Sequence, residues 1–266
     1  MDRFSGRFFA SAALLLSLAA AGCTSMPSIS PETTGSLAAA DRSEADWRKD
    51  MAVWGRRYEA NPRDPEAAIR YAQALRAIGQ RAQAAAVLEQ AALHNGENRA
   101  LLGAYGRALA DNGNFPQALE VLNRAHTPDQ PDWRILSVQG AVPDQMGRHQ
   151  EAQQYYASAL RLKPDEPSVL SNLGLSYALA KNLPQAETML RRAAAQRGAE
   201  PKVRQNLALV VGLQGRFQEA ETIARGDLSP TEAAANVAYL HQMLAEKGDG
   251  NKQKRSTSPL ARSAGS

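Results

Sequence analysis

Cysteine occurs once in 266 residues, so neither an internal disulfide framework nor a Cys-based zinc site can form. The four histidines, His94, His126, His149 and His241, show no metal-ligand spacing. Aromatic residues make up only 6% of the chain, which leaves packing to aliphatic and small side chains. The patterns HExxH, GxGxxG, GxxxxGK[ST] and GxSxG are all missing. Carboxylates such as Glu219 and Glu221 lack a paired-acid context, and His149 beside Glu151 reads as a solvated helix-surface pair. These absences leave no catalytic residue, no metal site and no cofactor to expect, so the chain reads as non-enzymatic. No apolar run reaches the roughly 20 residues that a membrane-spanning helix needs.

What the chain has instead is alanine, at roughly a fifth of all residues, an excess that favours close-packed helices. Its formal net charge of +4 is unevenly placed. Residues 247–266 hold Lys247, Lys252, Lys254, Arg255 and Arg262 against Asp249, and Arg3 and Arg7 outweigh Asp2 at the start, so the body between is close to neutral. A global field for nucleic acid is therefore not expected.

The lone thiol, Cys23, follows an instructive stretch. Arg3 and Arg7 form a positive n-region, Phe8 to Leu18 an apolar h-region, and Ala19, Ala20, Ala21 and Gly22 a run of small residues. Residues 1–22 read as a secretory signal. "AAGC" at 20–23 resembles a bacterial lipobox, with Ala20 where Leu is commoner. That resemblance implies diacylation of Cys23; an ordinary signal cleaved after Gly22, with an incidental cysteine, is the competing reading. Thr24 and Ser25 lack the Asp that retains such lipoproteins at the inner membrane, which implies the periplasmic face of the outer membrane. Two acyl chains anchor stably where one does not. Residues 23–44 are Pro/Ser/Thr-rich and aperiodic, as expected of a flexible tether.

From Pro65 a period of 34 residues runs without insertion, with starts at Pro65, Arg99, Trp133, Pro167 and Pro201. The eighth position holds Ala72, Gly106, Gly140, Gly174 and Ala208; the twentieth holds Ala84, Ala118, Ala152, Ala186 and Ala220. The fifteenth is Gly79, Gly113, Gly147, Lys181 and Gly215. Five alanines in one column would arise by chance on the order of a few times in ten thousand at this composition. The pattern resembles the tetratricopeptide repeat (TPR), and the expectation is an all-α TPR solenoid of about five helix-turn-helix repeats with an extra helix at each end. Small residues at the eighth and twentieth positions let paired helices approach, and glycine at the fifteenth permits the positive φ of the turn. Leu170, Leu173 and Leu190 exemplify the larger core residues.

The ends fit a stacked array. Residues 45–64 carry Trp47, Met51, Trp54 and Tyr58 at helical spacing and read as an N-terminal packing helix. Residues 65–246 form the superhelix, closed by a capping helix that begins at Ser229, Pro230 and Glu232 with a capping box. The basic tail 247–266 lacks periodicity and is expected to be disordered. Pro143, at the eleventh position of the third repeat, should kink or shorten its helix, as a kink the fold tolerates or, alternatively, as a bend that reshapes the groove.

A solenoid of helix pairs binds protein partners on the surface lined by its first helices. There the sixth position holds Asn172, Asn206 and, after a shortened unit, Asn236, whose amides could meet an extended peptide backbone. Arg134 and Lys202, at the second position, could add charge-assisted bonds to a carboxylate. The row partly resembles the carboxylate clamp of chaperone-binding TPR domains, although Val138 stands where that clamp would want Asn. Taken with the lipobox and tether, "PSVLSNLGLSYALAKNLPQAETMLRRA" and "GRFQEAETIARGDLSPTEAAANVAYLHQML" resemble the TadD family, the TPR lipoproteins of tight-adherence (Flp-type) pilus assembly. That resemblance implies an assembly factor at the outer membrane whose partner is the pilus secretin or another Tad component. A periplasmic TPR lipoprotein of outer-membrane protein or cell-wall assembly is the alternative.

Overall fold

A computed structural model describes residues 42–256, with side chains as far as Glu246. The signal 1–22, Cys23, nearly all of the tether and residues 257–266 lie outside the described residues. What is described is all-helical: α1 Glu44–Ala60, α2 Pro65–Ala77, α3 Arg81–Ala92, α4 Arg99–Asp111, α5 Phe115–Arg124, α6 Trp133–Gln145, α7 His149–Leu162, α8 Pro167–Leu179, α9 Leu183–Ala194, α10 Pro201–Leu213, α11 Phe217–Ala224 and α12 Pro230–Ser256. The first helices α2, α4, α6, α8 and α10 start 34 residues apart, and the second helices α3, α5, α7, α9 and α11 do the same. Each packs on its chain neighbours, as a solenoid requires.

Local chemistry sets the boundaries. Asp64, Asn98 and Asp132 cap α2, α4 and α6 through side chains that accept from backbone N–H groups. Proline occupies the first turn of α2, α5, α8, α9 and α10, where a missing N–H costs little. Within each repeat the turn reverses at the fifteenth position, which has φ of 75° to 82° at Gly79, Gly113, Gly147 and Gly215. Lys181 adopts the same left-handed conformation at φ 64° without the freedom of glycine.

A six-to-one hydrogen bond closes every one of these turns, from the sixteenth N–H to the eleventh carbonyl: Gln80 to Leu75, Asn114 to Leu109, Arg148 to Pro143, Asn182 to Tyr177 and Arg216 to Val211. This bond explains how Pro143 is absorbed. The turn needs the carbonyl of the eleventh residue, which proline keeps; only its N–H is lost. The helix is not shortened, since α6 has 13 residues, as do α2, α4, α8 and α10.

The closest helix approaches are sealed within each hairpin. Ala84, Ala118, Ala152, Ala186 and Ala220 are fully buried, as are Ala72 and Ala208 to within a few per cent. A Cβ added at Gly106 would sit 2.5 Å from Leu122 Cγ and 3.3 Å from the Ala118 carbonyl; at Gly174 it would sit 2.7 Å from Leu190 Cγ and 3.1 Å from the Ala186 carbonyl. At Gly140 it would meet the Tyr156 ring at 2.7 Å. The eighth-position residue thus makes room both for the twentieth backbone and for a large side chain at the twenty-fourth. Each such buried Leu contributes about 2 kcal/mol of apolar transfer.

Both end helices complete the stack. α1 lays Trp47, Met51 and Tyr58 against α2, with the Tyr58 and Tyr71 rings 5.7 Å apart. α12 begins with the capping box of Ser229 and Glu232 and packs Ala233 and Leu240 inward, while His241 meets the Phe217 ring edge-on at 4.6 Å. Its backbone stays helical to Ser256, ten residues past the expected boundary at 246, because no proline interrupts the segment. No helix of the described residues is long and apolar enough to cross a membrane.

Candidate functional site

Between the first helices of the first three repeats lies a cleft of about 960 Å³. α2 supplies Gln73 and Arg76, α4 supplies Arg99, Gly103, Ala104 and Arg107, and the start of α6 supplies Trp133 and Arg134, with Gln130 and Asp132 from the preceding loop. Gly103 and Ala104, at the fifth and sixth positions of α4, line the cleft, and Ile135 of α6 packs onto Gly103. The cleft is also basic, since four arginines face it within a body that is otherwise near neutral.

The four cations are held differently. Arg76 donates to Asp111 across the α2–α4 seam. Arg99 donates to Gln130 Oε1 at 2.5 Å. Arg134 stacks on the Trp133 ring at 4.6 Å and lies 4.0 Å from Asp132. Arg107 makes no hydrogen bond and no contact ion pair among the described residues. Burial, and next the neighbouring Arg76 cation, push its guanidinium down to about 9 against the longer-range pull of Asp111 and Asp132. It remains a cation at neutral pH.

Of the residues expected to face a partner, Arg134 lines this cleft and the asparagines do not. Asn172 is buried and donates from Nδ2 to Ser137 Oγ at 3.3 Å; Asn206 donates in the same way to Ser171 Oγ at 3.1 Å. Burial corrects the expected peptide contact for Asn172, while Asn206 is only partly buried; both amides stitch neighbouring first helices, α6 to α8 and α8 to α10, because a sixth-position amide reaches the fifth-position hydroxyl of the preceding repeat. Asn236 is exposed on α12, and Lys202 is half-buried at the start of α10. Cys23 lies outside the described residues. The sequence reading missed Arg76, Arg99 and Arg107. Reading the second, ninth and twelfth columns for charge would have gathered Arg134, Arg107 and Arg76.

A second polar cluster joins the third and fourth repeats. His149 Nδ1 and Ser176 Oγ each lie 2.8 Å from the same Asp144 oxygen. Burial raises the Asp144 carboxyl above its usual range, against the bonds from His149 and Ser176 that lower it. His149 is thus tied inward to Asp144, while Glu151 pairs with Arg148. The serine donates to the carboxylate rather than to the imidazole, so the three do not form a nucleophile–base relay. They are a strut between units. Among the described residues no group of three or more His, Cys, Asp or Glu is placed to hold a metal ion.

Comparison with known proteins agrees with this architecture. The family model "Tetratricopeptide repeat" matches residues 79–140 and 145–210. An uncharacterised protein of Sinorhizobium fredii is 31% identical over 117 residues, which cover 42% of this chain and 64% of that protein; the chain therefore spans just under two thirds of that relative's length. Among solved structures, PilW, a widely conserved type IV pilus biogenesis factor, superposes with a TM-score of 0.61 at 17% identity, covering 73% of this chain and 91% of its own. A thermophilic TPR protein of Thermus thermophilus superposes with a TM-score of 0.56 at 22% identity, covering 67% of this chain and 99% of its own. At such identities the structures speak to fold alone. The stretches 79–140 and 145–210 match the tetratricopeptide-repeat model, and the described residues form an all-helical solenoid of that repeat's architecture.

Proposed function

We propose that this protein is a non-enzymatic scaffold that holds a segment of a partner protein in the basic cleft between α2, α4 and α6. One observation carries this reading: the cleft is roomy, is lined by first helices, and has donors that the fold itself leaves unused. We further propose that the partner is a subunit of a pilus or secretion machine, with the Flp/Tad secretin as the candidate. In this reading, acylated Cys23 holds the complex at the periplasmic face of the outer membrane. Support comes from the lipobox-like "AAGC", the tether after it, and the TadD-like C-terminal segments. The likeness to a type IV pilus biogenesis factor supports the fold that such a role uses.

The test is co-purification of the full chain with the secretin from detergent-solubilised envelopes, alongside deletion of the gene. Loss of secretin multimers and surface pili, with other outer-membrane proteins unchanged, is expected. Normal secretin assembly in the deletion strain overturns the pilus role, and a general envelope defect points to outer-membrane or cell-wall assembly instead. Intact-mass measurement of the mature protein, with Cys23→Ser as comparison, tests the anchor; a wild-type mass without acyl groups removes it.

A further inference from the structure

Among the described residues, Arg107 is the one cation of the cleft for which no hydrogen bond or contact ion pair is formed. A guanidinium offers five donors in a rigid fork, and those of Arg107 that face the cleft are left for solvent or a ligand. Its possible internal anions are occupied: Asp111 is held by Arg76, and Asp132 accepts from the Arg134 backbone N–H at 2.7 Å while facing the Arg134 guanidinium. Gly103 lies one helical turn before Arg107 and is covered by the Ile135 side chain of α6, so the neighbouring wall of the cleft is apolar.

We propose that the segment held in this cleft bears an acidic side chain, whose carboxylate docks on Arg107, with Arg99 and Arg134 lining the cleft toward the N-terminal ends of α4 and α6. This rests on the scaffold reading above and specifies its ligand. The geometry suits a carboxylate, which a guanidinium binds through two parallel hydrogen bonds. It does not suit a nucleic acid strand. A polyanion needs a continued track of cations, but the ninth position that supplies Arg107 becomes Ala141, Leu175 and Leu209 in the following repeats. The basic surface is therefore local and matches one or two charges in a peptide whose remainder is apolar or neutral.

The experiment uses the full chain and three fluorescein-labelled probes: a Gly/Ser peptide of about ten residues with Glu at three positions, its Gln counterpart, and an oligoadenylate RNA of about the same length. Anisotropy titrations at low salt should show the Glu peptide binding about tenfold tighter than the Gln peptide, with the advantage shrinking as salt rises. Arg107→Gln should abolish that advantage. Asp132→Asn should strengthen Glu-peptide binding about threefold, because it removes a competing anion while Asn keeps the helix cap. Far-UV melting curves confirm that each variant is folded, and the Asp132→Asn arm does not depend on Arg107→Gln folding. Equal binding of both peptides overturns the acidic ligand while leaving the scaffold reading intact; binding of neither overturns both. A Glu preference that survives Arg107→Gln removes Arg107 from recognition, and tighter binding of the RNA overturns the peptide class.

Discussion

The seams between α2, α4 and α6 differ from those between α6, α8 and α10, although the helices are equal in length and the repeats identical in period. In the later seams Ser137 with Asn172, and Ser171 with Asn206, bridge neighbouring first helices. The earlier seams have Ile69 and Gly103 at the fifth position and Ala104 and Val138 at the sixth, which cannot form that bridge, and the cleft opens there. The ion pairs differ as well. Where α9 meets the α10–α11 turn, Glu187 bonds Arg216, Arg191 and Gln214 in a closed network, whereas in the early half Arg107 makes no hydrogen bond among the described residues. A periodic scaffold can thus carry a stitched half and an open half without altering its repeat.

If the hairpin interior really is common to both halves, Gly106→Val and Gly174→Val should destabilise equally, each by about 3 kcal/mol in urea denaturation. A marked inequality would mean that the halves differ in their cores too. The next largest contrast lies in acid. Arg216, foremost, with Gln214 and Arg191, holds the Glu187 carboxyl well below its usual range, at about 2, against the opposing effect of burial. Because the folded value is depressed, the stabilisation is present above pH 4.5 and is lost as pH falls from there toward 2. Glu187→Gln should lower neutral-pH stability by about 1.5 kcal/mol and flatten the acid limb of the thermal midpoint curve.

Asn172→Ala should cost about 1 kcal/mol, since it removes one buried bond and leaves Ser137 without it. The reciprocal pair, Ile69→Ser with Ala104→Asn, writes the later stitch into the first seam and should weaken binding in the cleft; unchanged binding would break the link between missing stitches and an open site. The remaining effect is a gain. Lys181→Gly should stabilise by about 1 kcal/mol, measured by the same urea midpoints, because φ 64° is costly for a residue with a Cβ.

The hairpins were readable because their constraint is local. The column of alanines at the twentieth position, the glycines at the fifteenth and the capping box at Ser229 each report a fixed distance or dihedral within one unit. The seams were harder, because an amide at Asn172 looks the same whether it faces solvent or Ser137. The decisive clue, a serine 35 residues before an asparagine, occurs twice and is visible only when two columns are read against each other. Pro143 was legible only in part for a related reason: the cost of a lost N–H shows in one helix, but the need for its carbonyl belongs to the turn. Arg107 was passed over because nothing in a sequence distinguishes an arginine with a carboxylate beside it from one without.

The fit of glycine at the eighth position against the large residue at the twenty-fourth has a consequence for how such a protein can change. That fit is settled inside each hairpin, and of its two rows only Ala72 and Leu88 of the first unit line the cleft. Residues on the second, ninth and twelfth rows can be exchanged without disturbing it, so lineages are free to rewrite what the chain recognises while inheriting its architecture unaltered.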